Sequence, residues 1–240
     1  AAGSAAPRWR HAGYLVAWPG MDAATFLDAG RKAVRSAPAE WLLAVGNLAL
    51  GIGLLYGVAD RIPIAHPYVI AWVGIVGLVL VLHFGVFHLL SCAWRQVGVE
   101  ARPLMNWPIA AASLSDFWRR RWNLAFHDLA HRFVFRPLAP RLGAAAALWA
   151  GFLASGLIHD LVISLPAAGG YGGPTLYFLL QAAAILLERG RIGRRLGLTA
   201  GLRGWLFTLA VVTLPLPLLF HAPLLARVIL PFLQAIGAVT

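Results

Sequence analysis

The chain has 240 residues, of which 60% are hydrophobic and only 12% charged, with a mean hydropathy of +0.74. A water-soluble domain carries about twice that share of charge, and apolar runs near 20 residues recur, so the composition excludes a soluble globular enzyme and implies an all-α, polytopic membrane protein. The net charge of +11 does not require nucleic acid as a partner, because basic residues flanking membrane spans stay cytoplasmic and meet anionic headgroups.

In chain order, residues 1–11 contain no apolar core of the kind a cleavable signal peptide has. Residues 1–40 read as a cytoplasmic or interfacial segment, in which Asp22 caps a short helix reaching about Arg35. Phe26, Leu27 and Val34 set against Arg31, Lys32 and Arg35 suggest a helix lying on the membrane surface, and a solvated arm is the other reading. Spans are expected at 41–59, 68–93, 143–165, 175–187, 204–220 and 224–239, six in all, and the last pair could be one hairpin. Cys92 is the single cysteine, so neither an intrachain disulfide nor a cysteine metal cluster can form. Residues 94–142 are too charged to cross a bilayer and form a cytoplasmic segment, with 104–109 a re-entrant or interfacial piece. No repeat divides the chain, which reads as one membrane domain.

The arginines and the one lysine fall before span one, between spans two and three, and between spans four and five. Alternating spans put these three segments on one side, leaving Arg61 on the other and Arg227 inside the last span. The positive-inside bias then makes both termini and the basic loops cytoplasmic.

Within the polar segment, SLSDFWRRRWNLAFHDLAHRFVFRP at 113–137 reads as one helix beginning near Ser115. Trp118, Trp122, Phe126, Leu129 and Phe133 form an apolar stripe. Asn123, His127 and His131 recur every fourth residue about 100° around from it. An ordinary interfacial helix would show the same stripe, but a solvated face seldom aligns an amide with two imidazoles. His159 is the second polar outlier, roughly 24 Å along a helix from Gly143 at 1.5 Å per residue. Ionisable groups at such depth face the bundle interior and are candidates for function. Ser155 precedes it by one turn, and Gly156 permits close approach of a substrate or helix. Asp160 points about 100° away from His159.

Three chemistries fit. His127 and His131 make an HxxxH pair, as in metal-dependent membrane hydroxylases or proteases, although Asp128 replaces the glutamate of HExxH. His83 or His88 paired with His159 could hold a haem. A neutral imidazole in a dry site could instead take the proton of an alcohol attacking a thioester, with an amide or second imidazole holding the oxyanion. A non-catalytic lipid carrier lined by the same histidines also remains open.

FWRRRWN at 117–123 followed by His127 resembles the FWxRxWN…H signature of the membrane-bound O-acyltransferases, and SGLIHD at 155–160 resembles their SGxxHE element. The likeness is to the wax synthase branch and covers about residues 103–181. It implies a helical bundle around a tunnel, with acyl-CoA and a long-chain alcohol as substrates and membrane lipids as surroundings, in a bacterial inner membrane or endoplasmic reticulum. It implies no metal and no cofactor beyond acyl-CoA as co-substrate. By the same resemblance His159 is the general base, Asn123 and His127 complete the catalytic set, and Trp118, Arg119, Trp122, Ser155 and Gly156 bind substrate. Arg119, Arg120 and Arg121 are candidates for the phosphates of coenzyme A. Asp160 departs from the plant enzymes' glutamate.

Overall fold

A computed structural model describes residues 6–239, which form helices and turns with no strand. Residues 1–5 of the expected N-terminal segment and residue 240 lie outside the described residues. Four helices are long and apolar enough to cross a membrane: α3 (Pro38–Arg61), α4 (Pro67–Gln96), α7 (Ala144–Ser164) and α10 (Gly201–Leu219). The other two expected spans are shorter, at α8 (Gly173–Arg189) and α11 (Ala222–Ala235). The count of six is therefore not reproduced by length alone.

The N-terminal segment is neither a free arm nor a bare surface helix. It contains α1 (Arg8–Ala17) and α2 (Ala23–Leu27). Asp22 caps α2 as expected, its carboxylate accepting from the Thr25 amide at 3.1 Å. The helix stops at Leu27 instead of near Arg35 because the Asp28 side chain takes the Gly30 amide at 3.0 Å, a local turn that competes with helix. Phe26 is fully buried, packing with Trp18, Val99, Ala101, Leu104 and Ala125. This small core ties the N-terminal segment to the polar segment that carries the motif.

Helices α3 and α4 pack closely because glycines meet at their crossing. A Cβ on Gly51 would lie 2.8 Å from the Gly77 carbonyl oxygen, so only small residues allow this contact. Arg95, counted above among loop charges, sits in the last turn of α4 and forms a partly buried ion pair with Glu40 of α3. Cys92 is fully buried beside it. Helix α11 closes on α4, with Leu233 seated against Gly74 and Leu225 beside Ala71 and Ile75.

Helix α5 (114–121) and helix α6 (124–142) follow a loop. Residues 104–109 are not a re-entrant helix. This stretch runs beside the junction of α5 and α6, where the Asn106 amide donates to the Arg121 carbonyl at 2.8 Å and the Leu124 amide to the Leu104 carbonyl at 2.9 Å. Helix α6 returns along α7, and α7 packs lengthwise on α8. A short helix α9 (Arg191–Leu196) leads into α10, whose carbonyls at Val211 and Val212 accept from Gln181 and Tyr177 of α8.

Candidate active site

The expected single helix over 113–137 is two helices. Trp122 is extended (φ −104°, ψ 125°), and Asn123 adopts the left-handed region (φ 41°, ψ 63°). Asparagine tolerates that conformation better than most residues and is a favoured N-cap. Its Oδ1 accepts from the Phe126 amide at 3.3 Å, which starts α6. Asn123 thus stands at a helix start and not on one helical line with His127 and His131. The cap of α5 is likewise Ser113, whose hydroxyl accepts from the Asp116 amide at 3.1 Å, and not Ser115. Ser115 instead donates to Glu188 at 2.6 Å. That carboxylate, fully enclosed by protein, also takes the backbone amides of Leu114 and Ser115. The end of α8 therefore fixes the start of α5.

Between α5, α6, α7 and α8 lies a cavity of about 510 Å³, within the usual range for small-molecule sites. Trp118, Arg119, Trp122, Asn123, His127, Ser155 and His159 all line it. Gly156 does not: a Cβ there would lie 2.6 Å from Thr175 Cα, so this glycine serves the α7–α8 contact. Of the three neighbouring arginines only Arg119 lines the cavity. Arg120 and Arg121 both pair with Asp116.

His159 is held by its own helix. Its Nδ1 lies 2.7 Å from the Ser155 carbonyl oxygen. A carbonyl can only accept, so Nδ1 carries a proton, and in the neutral ring the lone pair belongs to Nε2. The Ser155 hydroxyl is turned away, donating to the Gly151 carbonyl at 2.9 Å. The His159 ring packs against Phe178 at 4.5 Å between centroids and edge-on to Phe126 at 5.9 Å. Water is thereby displaced from most of its surface. With its Oδ1 committed to the Phe126 amide, Asn123 has the two protons of Nδ2 to offer the cavity.

Several functional candidates escaped the sequence reading. Phe126, Phe152 and Phe178 form the aromatic wall, and Arg189 reaches the cavity at the Ser115 end, where its Nε donates to the Ser115 hydroxyl at 2.9 Å. Buried Gln181 accepts from Trp118 Nε1 at 3.3 Å, orienting that indole. The missed signal was Gln181 and Glu188, two polar residues seven apart and so on one face of an apolar helix.

The other chemistries lose support. His127 and His131 stack face to face, with ring centroids 5.8 Å apart, and no third ligand joins them among the described residues. Among the described residues the group with three such donors is Glu40, His88 and Cys92, where Arg95 already binds Glu40. His83 stacks on Trp122, and neither His83 nor His88 lines the cavity with His159.

Residues 101–180 match the model of the Membrane bound O-acyl transferase family. A probable long-chain-alcohol O-fatty-acyltransferase 1 of Arabidopsis thaliana is 34% identical over 62% of this chain and 46% of its own length. A second, probable long-chain-alcohol O-fatty-acyltransferase 2 of the same plant, is 43% identical over 38% of this chain and 29% of its own. The long-chain-alcohol O-fatty-acyltransferase of Simmondsia chinensis is 34% identical over 29% of this chain and 22% of its own. The chain spans less than half the length of these curated relatives. No solved structure matches it. Asn123, His127 and His159 all fall within the segment that matches this family model, and the relatives named above are each similar to part of the chain.

Proposed function

We propose that this protein transfers a fatty acyl group from acyl-CoA to the hydroxyl of a long-chain alcohol. The observation that carries the reading is the lock between His159 Nδ1 and the Ser155 carbonyl, which leaves Nε2 as the ring's basic atom inside an aromatic-walled cavity. Nε2 takes the proton of the acceptor hydroxyl while its oxygen attacks the thioester carbonyl. The oxyanion so formed accepts from Asn123 Nδ2, and preorganised donors of this kind lower the barrier substantially. Collapse breaks the carbon–sulfur bond, the imidazolium returns its proton to the departing thiolate, and a fatty ester and coenzyme A result. His127 supports the oxyanion side. Phe126, Phe152 and Phe178 keep out water that would hydrolyse the acyl donor.

Arg119 and Arg189 stand at the Ser115 end of the cavity, suited to the phosphates of coenzyme A. That end belongs to the basic, cytoplasmic side if the arginine bias sets the topology, and both termini then lie there too. The apolar stretch of the cavity suits a chain drawn from the bilayer, and the relatives' names favour a long-chain alcohol over other acceptors. One relative is named acyl-CoA–sterol O-acyltransferase 1, so sterol is the acceptor to test against it.

Purified protein in lipid nanodiscs, given labelled palmitoyl-CoA with hexadecanol, a sterol and diacylglycerol in competition, should yield mainly the alcohol ester. Predominant sterol ester or triacylglycerol would replace the acceptor class. Free palmitate alone would mean that water, not an alcohol, reaches the acyl group.

A further inference from the structure

Asp160, next to His159, turns out of the cavity and joins two helices. Its Oδ1 accepts from the Ser164 hydroxyl at 2.8 Å and the Gly172 amide at 2.9 Å. Its Oδ2 accepts from the Thr175 amide at 3.1 Å and from the Thr175 hydroxyl. Gly172 and Thr175 bracket the start of α8, where free N–H groups and the helix dipole favour a carboxylate. Ser164, fully buried, is in turn 3.1 Å from His221 Nε2. His221 Nδ1 accepts from the Leu224 amide at 3.1 Å. An accepting Nδ1 has no proton, so Nε2 carries it, and every bond runs one way: Leu224 to His221, His221 to Ser164, Ser164 to Asp160.

This order excludes a nucleophilic serine. In a Ser-His-Asp triad the imidazole lone pair receives the serine proton, whereas here the carboxylate receives it and the imidazole donates. The network has a mechanical setting instead. Helix α7 widens into a π turn over Asp160–Ser164, directly after His159, where the Leu165 amide donates to the Asp160 carbonyl five residues back, a local departure from the α-helical pattern of the kind often found at functional sites. Gly170, at φ +75°, lets the His221 ring lie against the loop, where a Cβ would come within 2.3 Å of it. Thr175, held by Asp160, lies one turn before Phe178, the ring packed on His159.

We infer that Asp160, Ser164 and His221 form a positioning clamp that fastens the end of α7 to the start of α8 and so fixes the direction of His159 in the cavity. Its bearing on acyl transfer rests on the function proposed above. It gives Asp160 a task as an anchor, with no part in proton transfer.

The test uses protein labelled with ¹⁵N-histidine in nanodiscs, with the His159 ring signals identified by their loss in His159→Gln. Two variants break the relay gently. Ser164→Ala removes one hydroxyl, and His221→Asn keeps an acceptor for the Leu224 amide but cannot reach Ser164. The wild type should show one His159 species protonated at Nδ1, and each variant a mixture of species. Turnover should fall about tenfold or more with the KM for acyl-CoA unchanged, as misplacement of a catalytic group produces. The double variant should be no worse than the singles, because both cut one chain. Unaltered His159 signals in both variants, or unaltered turnover, would overturn the clamp. Absence of ester from the wild type, together with His159 signals that respond to both variants, would overturn the acyltransferase reading and leave the clamp standing.

Discussion

Asn123 and His159 face one cavity but are presented by opposite kinds of backbone. His159 sits deep in a long apolar helix, fixed by a bond to the carbonyl one turn earlier. Asn123 sits at a break between two short helices, with a left-handed backbone and a side chain that is at once cap and donor. The first arrangement separates chemistry from folding, since the fold of α7 does not need an imidazole at 159. The second merges them, since the start of α6 depends on the same amide that would serve the oxyanion.

His159→Gln sharpens that contrast most. Loss of a general base costs about 10²- to 10⁴-fold in turnover, and the unfolding temperature should stay within a few degrees of wild type. Steady-state ester formation beside thermal unfolding checks both. A large fall in stability would break the comparison. At Asn123 the two roles can be split. Asn123→Asp keeps an oxygen to cap the Phe126 amide but has no N–H to donate, so turnover should drop about 10²-fold with the fold retained. Asn123→Ala should show the same loss of turnover plus about 1 kcal/mol of stability. Equal stability of the Asp and Ala variants would mean that the cap contributes nothing.

Arg119→Ala should raise the KM for acyl-CoA by about 10-fold, the value of one charge-assisted hydrogen bond, with kcat little changed. Arg120→Ala, at a residue paired with Asp116 outside the cavity, should change neither. Two glycines of α7 test packing and not chemistry. Gly156→Ala pushes a methyl into the Thr175 backbone and should lower stability by about 1–3 kcal/mol. Gly151→Ala, with no atom within 4 Å of the new Cβ, should be neutral or stabilise by up to about 1 kcal/mol.

The same contrast explains what the sequence disclosed. His159 was legible because a polar residue inside an apolar run is visible without knowing any dihedral angle. The break before Asn123 was not, because Trp118, Trp122, Phe126, Leu129 and Phe133 keep helical spacing across it, and tertiary contacts from 104–106 hold it open. The left-handed preference of asparagine and the caps at Ser113 and Asn123 were the signals available. Asp160 pointed away from His159, as its 100° offset required, yet its partners Gly172, Thr175 and Ser164 could be known only once α7 and α8 were placed side by side. Glu188 falls just beyond the fourth expected span, yet it lies buried under the start of α5. Buried polar contacts between distant segments leave little periodic trace.

The most direct test places wild type and His159→Gln side by side in nanodiscs with labelled palmitoyl-CoA and hexadecanol, and separates the neutral lipids over time. Labelled wax ester from the wild type, and at least about 100-fold less from an equally stable variant, is the predicted result. Equal ester from both proteins would contradict His159 as the base, and no ester from a folded wild type would contradict the acyl transfer itself.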